Sequence, residues 1–391
     1  MTASPIPMRR HKGFHLRLGF VPLLDSAPLI IAHELGLFFQ EGLEVELVRE
    51  ASWASLRDKI TFGLLDGGHM LAPMPLAMSL ANDRPRSPIV TGMVLSRNGN
   101  GITVSSALYP ELEACGADPA NPLASAQALI EVARKRGTPI QLASVAPWSS
   151  HDLQLRDWIA SAGPEARHHL RIVPVSPVQM VDAFRAGAIE GCCVGEPWNS
   201  LLEWQDLGVL LHAGHQIWQN APEKVLGMRQ DWAEQHPEIH ERLIRVLLRA
   251  CEWLDNPANH DTLRDILADE RYLGNQVQAL DGHPFSLFHP RLHQHFFRDS
   301  ANFPWLSQAH WLASRLARWN QLGSFSTEDI RAVVKPDLFR KAASRIGIDA
   351  PLIDAKTEGR HRLPHVIEGG DGPVSIAGDS LLGEQLHRWP G

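Results

Sequence analysis

Residues 191–199, reading Gly-Cys-Cys-Val-Gly-Glu-Pro-Trp-Asn, constrain the fold more than any other stretch. The run 189–194 is short, apolar and strand-like, and Gly195 ends it. Pro197 prevents any extension, because it lacks an N–H and holds φ near about −65°. A strand ending on glycine leaves bare backbone at its carboxyl end, with no Cβ in the way. In open α/β sheets, ligands sit beyond that end. Gly195 is therefore expected to form one wall of a small-ligand site.

The surrounding pattern supplies such sheets. Residues 14–21 alternate apolar and polar as a strand does, Pro22 ends the run, and Asp25 or Ser26 is expected to cap a helix reaching Gly36. Residues 43–48 alternate again, giving βαβ and a parallel pair. Ser52 and Trp53 open another helix, Gly63 to Gly68 reads as a turn, and 89–95 is a buried strand. A second βαβαβ unit runs from 140 to 194, with helices at 151–160 and 177–186 and a strand at 170–175. The stretch 107–122 reads as a surface loop, and Ser125 as the N-cap of a helix over 125–136. A strand-like run follows at 209–212 and an apolar stretch at 225–228, then helices, notably 240–254 and 307–322.

A chain of 391 residues exceeds one ordinary core and predicts two lobes. The reading is an α/β protein with an N-terminal tail (1–13), a discontinuous first lobe (14–104 and 206–354) and an inserted second lobe (105–205). A flexible C-terminal tail is expected over 355–391, where Gly, Pro and His are frequent and periodicity is lost.

Composition narrows the function. A net charge of −7 without a basic cluster argues against direct nucleic-acid binding. No run of about 18 apolar residues is present, so no membrane span is expected. Residues 1–12 lack the apolar core of a signal peptide, which predicts a cytoplasmic protein. Cys192 and Cys193 are adjacent and, on a strand, point to opposite faces, so the four cysteines read as fillers. Twenty histidines are read without a zinc-type spacing, and neither a metal nor a cofactor is expected. No nucleophile–base set or phosphate-cradling Gly-rich loop appears, so an enzyme is not expected.

Several motifs then occur in a fixed order. They are Trp53 before Leu56-Arg57-Asp58-Lys59, Asp66-Gly67-Gly68-His69-Met70, Ser150-His151-Asp152-Leu153, Cys193 through Asn199, and Pro222-Glu223-Lys224 before Gly227-Met228. Together they resemble the nitrate-binding family of type 2 periplasmic-binding-protein folds, over roughly residues 16–323. The resemblance implies a two-lobe fold with a hinged ligand cleft and a helical C-terminal region. It implies Trp53, Asn100, His151, Gly195 and Lys224 as anion-binding positions. Asn100 departs from the family's pattern, which has glutamine there, and 146–150 reads Ala-Pro-Trp-Ser-Ser in place of Pro-Gly-Gly-Thr, so that Trp148 is a candidate for the rim. Within the family the expectation is the cytoplasmic sensor branch. Such a sensor binds nitrate or nitrite and releases a sequestered RNA-binding antiterminator of the ANTAR type. The alternative is the substrate-binding component of a nitrate or bicarbonate ABC importer.

The residue types suit that chemistry. Nitrate is planar and offers only acceptors, so its site needs donors and a positive charge. Trp53 supplies an N–H that never accepts, Lys224 the charge, and His151 sits at a helix start, where anions are favoured. Taken without the resemblance, Trp53 reads as well as a core residue, Lys224 as a solvated one and His151 as a capping or core histidine. Glu196, of the wrong sign for an anion, is expected to pair with a lysine or arginine.

Overall fold

The structure is a computed structural model that describes residues 13–81, 87–274 and 288–391. All but the last residue of the expected N-terminal tail lies outside these. Two five-stranded sheets organise the chain. The first has the order β2 (Leu43–Arg49), β1 (Phe14–Phe20), β3 (Gly67–Leu71), β10 (Pro222–Arg229), β4 (Ile89–Arg97). The second has the order β7 (Leu170–Pro174), β6 (Ile140–Ser144), β8 (Gly191–Gly195), β5 (Asn100–Ser105), β9 (Gly208–Ala213). Parallel pairs arise where helices cross over: β1 with β2 and β3, and β6 with β7 and β8. Each sheet is mixed, because β10 runs antiparallel between β3 and β4, and β5 antiparallel to β8 and β9.

The lobe limits differ from the expected ones. Boundaries at 104/105 and 205/206 would leave β5 in the first lobe and return β9 to it, although both are hydrogen-bonded into the second sheet. The chain changes sheets at Asn98–Gly99 and again over 214–221. Alternation identifies a strand but not the sheet it joins. At the first crossing Asn98 and Gly99 have φ of 58° and 89°, and at the second Asn220 has 56°. This left-handed region is open to glycine and tolerated by asparagine. The two asparagines are tied together by Asn98 Nδ2 donating to Asn220 Oδ1 at 3.1 Å, and Asn98 N donates to the Ala221 carbonyl at 3.1 Å.

Local readings differ at three points. Within the expected loop 107–122, Tyr109–Ala114 is helical, with Pro110 in its first turn and Leu108 and Leu112 buried. The next helix, Pro122–Arg136, is capped by Asn121, whose side chain accepts from Ala124 N at 3.2 Å, and not by Ser125. Ser125 is instead spent on Asp118. Neither Asp25 nor Ser26 caps its helix; Ser26 Oγ donates to the Leu23 carbonyl. Cys192 and Cys193 do face opposite ways, each into a different apolar cluster, and both are free thiols.

The helices after β10, chiefly Pro237–Leu254, Leu306–Arg318 and Pro336–Ser344, pack on the first lobe and share its apolar core with β1 and β4. Residues 355–391 are not a loose tail. They fold onto the body through the hairpin β11 (His365–Glu368) and β12 (Pro373–Ile376), a bridge from Leu381 to Trp218, and a buried charge cluster. In that cluster Lys356 Nζ meets Glu358 Oε2 at 2.6 Å and also Asp379, while Ser307 Oγ donates to Glu358 at 2.7 Å. Such pairing is long-range, which composition does not show.

Breaking a buried pair from one side leaves an uncompensated charge. Lys356→Ala is expected to destabilise the protein by about 3–5 kcal/mol, measured by urea unfolding near neutral pH.

Candidate functional site

The site is built around Lys224, which is completely buried on β10. Its ammonium lies 2.6 Å from Asp25 Oδ2 and 2.7 Å from Glu223 Oε1, and 5.5 Å from the Trp53 ring centroid. On a regular strand, Glu223 and Lys224 would point to opposite faces. Here the register of β10 against β4 shifts on both sides of Lys224, and such a bulge re-aims side chains. Both therefore turn into one hollow, and periodicity alone gave no sign of it.

From the same lobe, Trp53 begins the helix Trp53–Thr61, fixed by Ser52 Oγ accepting from Ser55 N at 3.1 Å. Its ring lies 5.2 Å from that of His69 on β3, and its Nε1 has no partner among the described residues. His69 Nε2 is 2.8 Å from Asp25 Oδ1.

The second lobe contributes the opposite wall. Asn100 opens β5 directly across from Gly195, the last residue of β8. Asn100 Nδ2 donates to Glu223 Oε2 at 2.6 Å and to Gln154 Oε1 at 3.2 Å. The shorter amide at 100 thus has a longer one, Gln154, beside it. His151 is the second residue of the helix Ser150–Ser161, whose cap Ser149 accepts from Asp152 N at 3.0 Å. His151 Nδ1 is 3.5 Å from Glu223 Oε1, close but without a hydrogen bond, and neither ring nitrogen has a partner among the described residues. A Cβ on Gly195 would lie 3.2 Å from Leu23 Cδ2 and 3.5 Å from Asp25 Oδ2, so the lobes meet at bare backbone. The next residue completes the junction, with Leu24 N donating to the Glu196 carbonyl at 2.9 Å.

The structure thus brings together all five positions singled out in the sequence: Trp53, Lys224, Asn100, His151 and Gly195. Four others were missed. Asp25 was taken for a cap, Glu223 and His69 lay inside motifs without a role of their own, and Gln154 lay just beyond one. Trp148 is buried, with the Arg57 guanidinium 5.6 Å from its ring centroid. Glu196 meets Ser200 N at 3.3 Å in place of a lysine or arginine, and burial pushes its carboxyl up to about 7.

The charges follow from burial and partners. Burial acts to raise the Asp25 carboxyl, but the Lys224 charge and the His69 hydrogen bond outweigh it and hold it well below the usual range. Burial acts to lower Lys224, and Asp25 with Glu223 reverse this, so the ammonium persists. Burial depresses His69, with Asp25 opposing, and takes His151 down to about 4. Near neutral pH both rings are uncharged. His69 therefore donates from Nε2 to ionised Asp25, which leaves Nδ1 as a bare acceptor.

The His-x3-His spacing does occur, at His11/His15, His236/His240, His289/His293 and His361/His365. Among the described residues none of these pairs has both histidines within one helix; His361 and His365 stack with ring centroids 4.1 Å apart, and His289 is engaged with Glu203 at 3.2 Å through Nε2 and with Arg291 N through Nδ1. Among the described residues no three His, Cys, Asp or Glu side chains converge as a metal cage.

The buried histidines have a consequence for stability. In His151, His212, His215, His240 and His387 burial lowers the pKa to about 4, against about 6.5 in an unfolded chain. Between those values the unfolded state binds more protons, so stability is full above about pH 6.5 and falls as pH drops toward 4. Urea midpoints across that window are expected to fall steeply, and less so in His151→Gln.

Comparison with known proteins bears on this geometry. A model of the NMT1-like family matches residues 11–268. The chain is 36% identical over 350 residues to the nitrate import ATP-binding protein NrtC of Synechocystis sp., covering 85% of this chain and 50% of that protein. It thus spans about half the length of the ATP-binding relatives it matches. It is 32% identical over 382 residues to the nitrate/nitrite binding protein NrtA of Synechococcus elongatus, covering 91% of this chain and 85% of that one. The crystal structure of the periplasmic nitrate-binding protein NrtA from Synechocystis PCC 6803 superposes with a TM-score of 0.80 at 28% identity, covering 94% of this chain and 96% of that one. The architecture described above is that two-lobe periplasmic-binding-protein fold.

Proposed function

The chain belongs to the NMT1-like family, and on that premise we propose that it binds a small planar oxyanion, nitrate or nitrite, as the solute-binding part of an ABC-type importer. The convergence of Trp53, Asn100, His151, Gly195 and Lys224 from two lobes carries this reading, with Trp53 Nε1 and both His151 nitrogens buried and unpartnered. Buried polar atoms almost always find partners, and Trp53 Nε1 and the one N–H of neutral His151 are donors of the kind an acceptor-only ligand needs. The nitrate- and nitrite-binding relatives support a binding protein over an enzyme.

Glu223 gives the mechanism its shape. A carboxylate is planar and acceptor-only, as nitrate is, and it engages Lys224 and Asn100, two donors the ligand needs. In this reading the anion displaces Glu223, and the lobes part at the Asn100–Glu223 bond to admit it. Three to five charge-assisted hydrogen bonds, each about 1.5–3 kcal/mol, less that opening cost, give an affinity in the micromolar range, about 8 kcal/mol.

Calorimetry on the purified chain is expected to show micromolar nitrate or nitrite binding, abolished in Lys224→Met; absence of heat from both anions overturns the proposal. Because His151 is neutral and donates one N–H, the affinity should be flat between about pH 6 and 8. Glu223→Gln removes a competing negative charge and should tighten nitrate at least about tenfold. If bicarbonate is the ligand, its O–H needs an acceptor, and the same substitution should weaken it.

The sensor reading, a cytoplasmic protein that holds an ANTAR-type RNA-binding antiterminator until nitrate or nitrite arrives, is compatible with the same motifs, which do not single out that branch of the family. The importer reading has the relatives' stated roles behind it as well. Capture of an ANTAR-type regulator by the purified chain, reversed by millimolar nitrate, would reverse that order.

A further inference from the structure

A cavity of about 540 Å³ opens beside the C-terminal turns of the helix that carries His151. Arg156 and Ile159 from that helix, Arg167 and Ile172 beyond it, and Arg318 and Trp319 from the first lobe line it. Three guanidiniums from three segments and both lobes face one space. Two are held against Trp319, with Arg318 Cζ 5.1 Å and Arg156 Cζ 5.8 Å from its ring centroid, and such stacking stiffens an arginine.

Their charge is only partly matched. Arg156 Nε is bound to Asp152 at 2.5 Å. Arg318 is 4.0 Å from Asp157, a carboxylate already 3.2 Å from Arg315. Arg167 has no acidic partner among the described residues. Glu165, at the rim, is largely exposed and turned to His168 at 2.9 Å. Arg167 and Arg318 are exposed and partly screened by water, but three like charges sharing one opening still make an electropositive rim that favours an anion. The guanidinium fork suits phosphate, taking it through two parallel N–H bonds. The volume is far more than nitrate fills and within the range for organic ligands, and Ile159 with Ile172 offers an apolar floor.

We propose that this cavity is a second binding site, for an organic phosphate monoester whose phosphoryl group is gripped by Arg156, Arg167 and Arg318 and whose organic part rests on Ile159 and Ile172. Such a ligand, of charge about −2, would neutralise the surplus and span the two lobes. The site is separate from the oxyanion cleft and does not depend on what that cleft binds.

The test is calorimetric titration of the full chain with phenyl phosphate in low-salt buffer, with succinate as the carboxylate comparison. Saturable binding is expected, weaker by tenfold or more in the double variant Arg167→Gln, Arg318→Gln, and stronger than succinate. Thermal unfolding of the variant, unchanged, shows that the loss is not misfolding, and an unchanged nitrate titration shows that the cleft is intact. No saturable heat up to millimolar phenyl phosphate, equal affinity in the variant, or succinate binding as tightly would each overturn the assignment.

Discussion

An ammonium group without water must find its counter-charge inside the protein, or lose its proton. Lys224 meets this constraint with two carboxylates, and much of the architecture serves the arrangement. The strand that carries it returns from the second lobe and enters the first sheet antiparallel, between β3 and β4. The bulge at Lys224 turns Glu223 to the same side. The turn before the first helix delivers Asp25 from β1, and His69 on β3 fixes that carboxylate. Glu223 then reaches across to Asn100, so one acid both neutralises the lysine and joins the lobes.

Two such lobes joined by two crossings make a hinge, and its chemistry is visible in the asparagines at 98 and 220. Each holds a backbone conformation that most residues avoid, and each stabilises the other's side chain. Arg97, buried beside them, donates to the carbonyls of Ala301 and Asn220. The C-terminal segment adds a further tie, since Asn220 Nδ2 donates to the Gly378 carbonyl at 2.6 Å. What composition presented as a loose end is part of the joint.

Strand and helix positions in both lobes were legible because period-2 and period-3.6 patterns are local. Gly195 was legible because a glycine closing an apolar run has few other uses. Sheet membership was not legible: β5 and β9 alternate like their neighbours, and hydrogen bonding to residues far along the chain decides where they belong. Glu223 was hidden by the strand rule that a bulge suspends. Asp25 was hidden because an acid before a helix reads as a cap, and only Lys224 and His69, far along the chain, claim it. The order of the C-terminal segment depends on Lys356 meeting Asp379, a pairing that no window of sequence contains. Trp53, Asn100, His151 and Lys224 were reached through the family's motifs; their own residue types left core, loop or surface equally open.

The neighbours Cys192 and Cys193 project into separate apolar layers on the two faces of one sheet. Reaching either sulfur with a reagent requires that face, and not the other, to loosen. A pair of adjacent thiols is thereby a natural double reporter: the order in which they become reactive under mild denaturant reads which side of the second lobe lets go first, without a single engineered label.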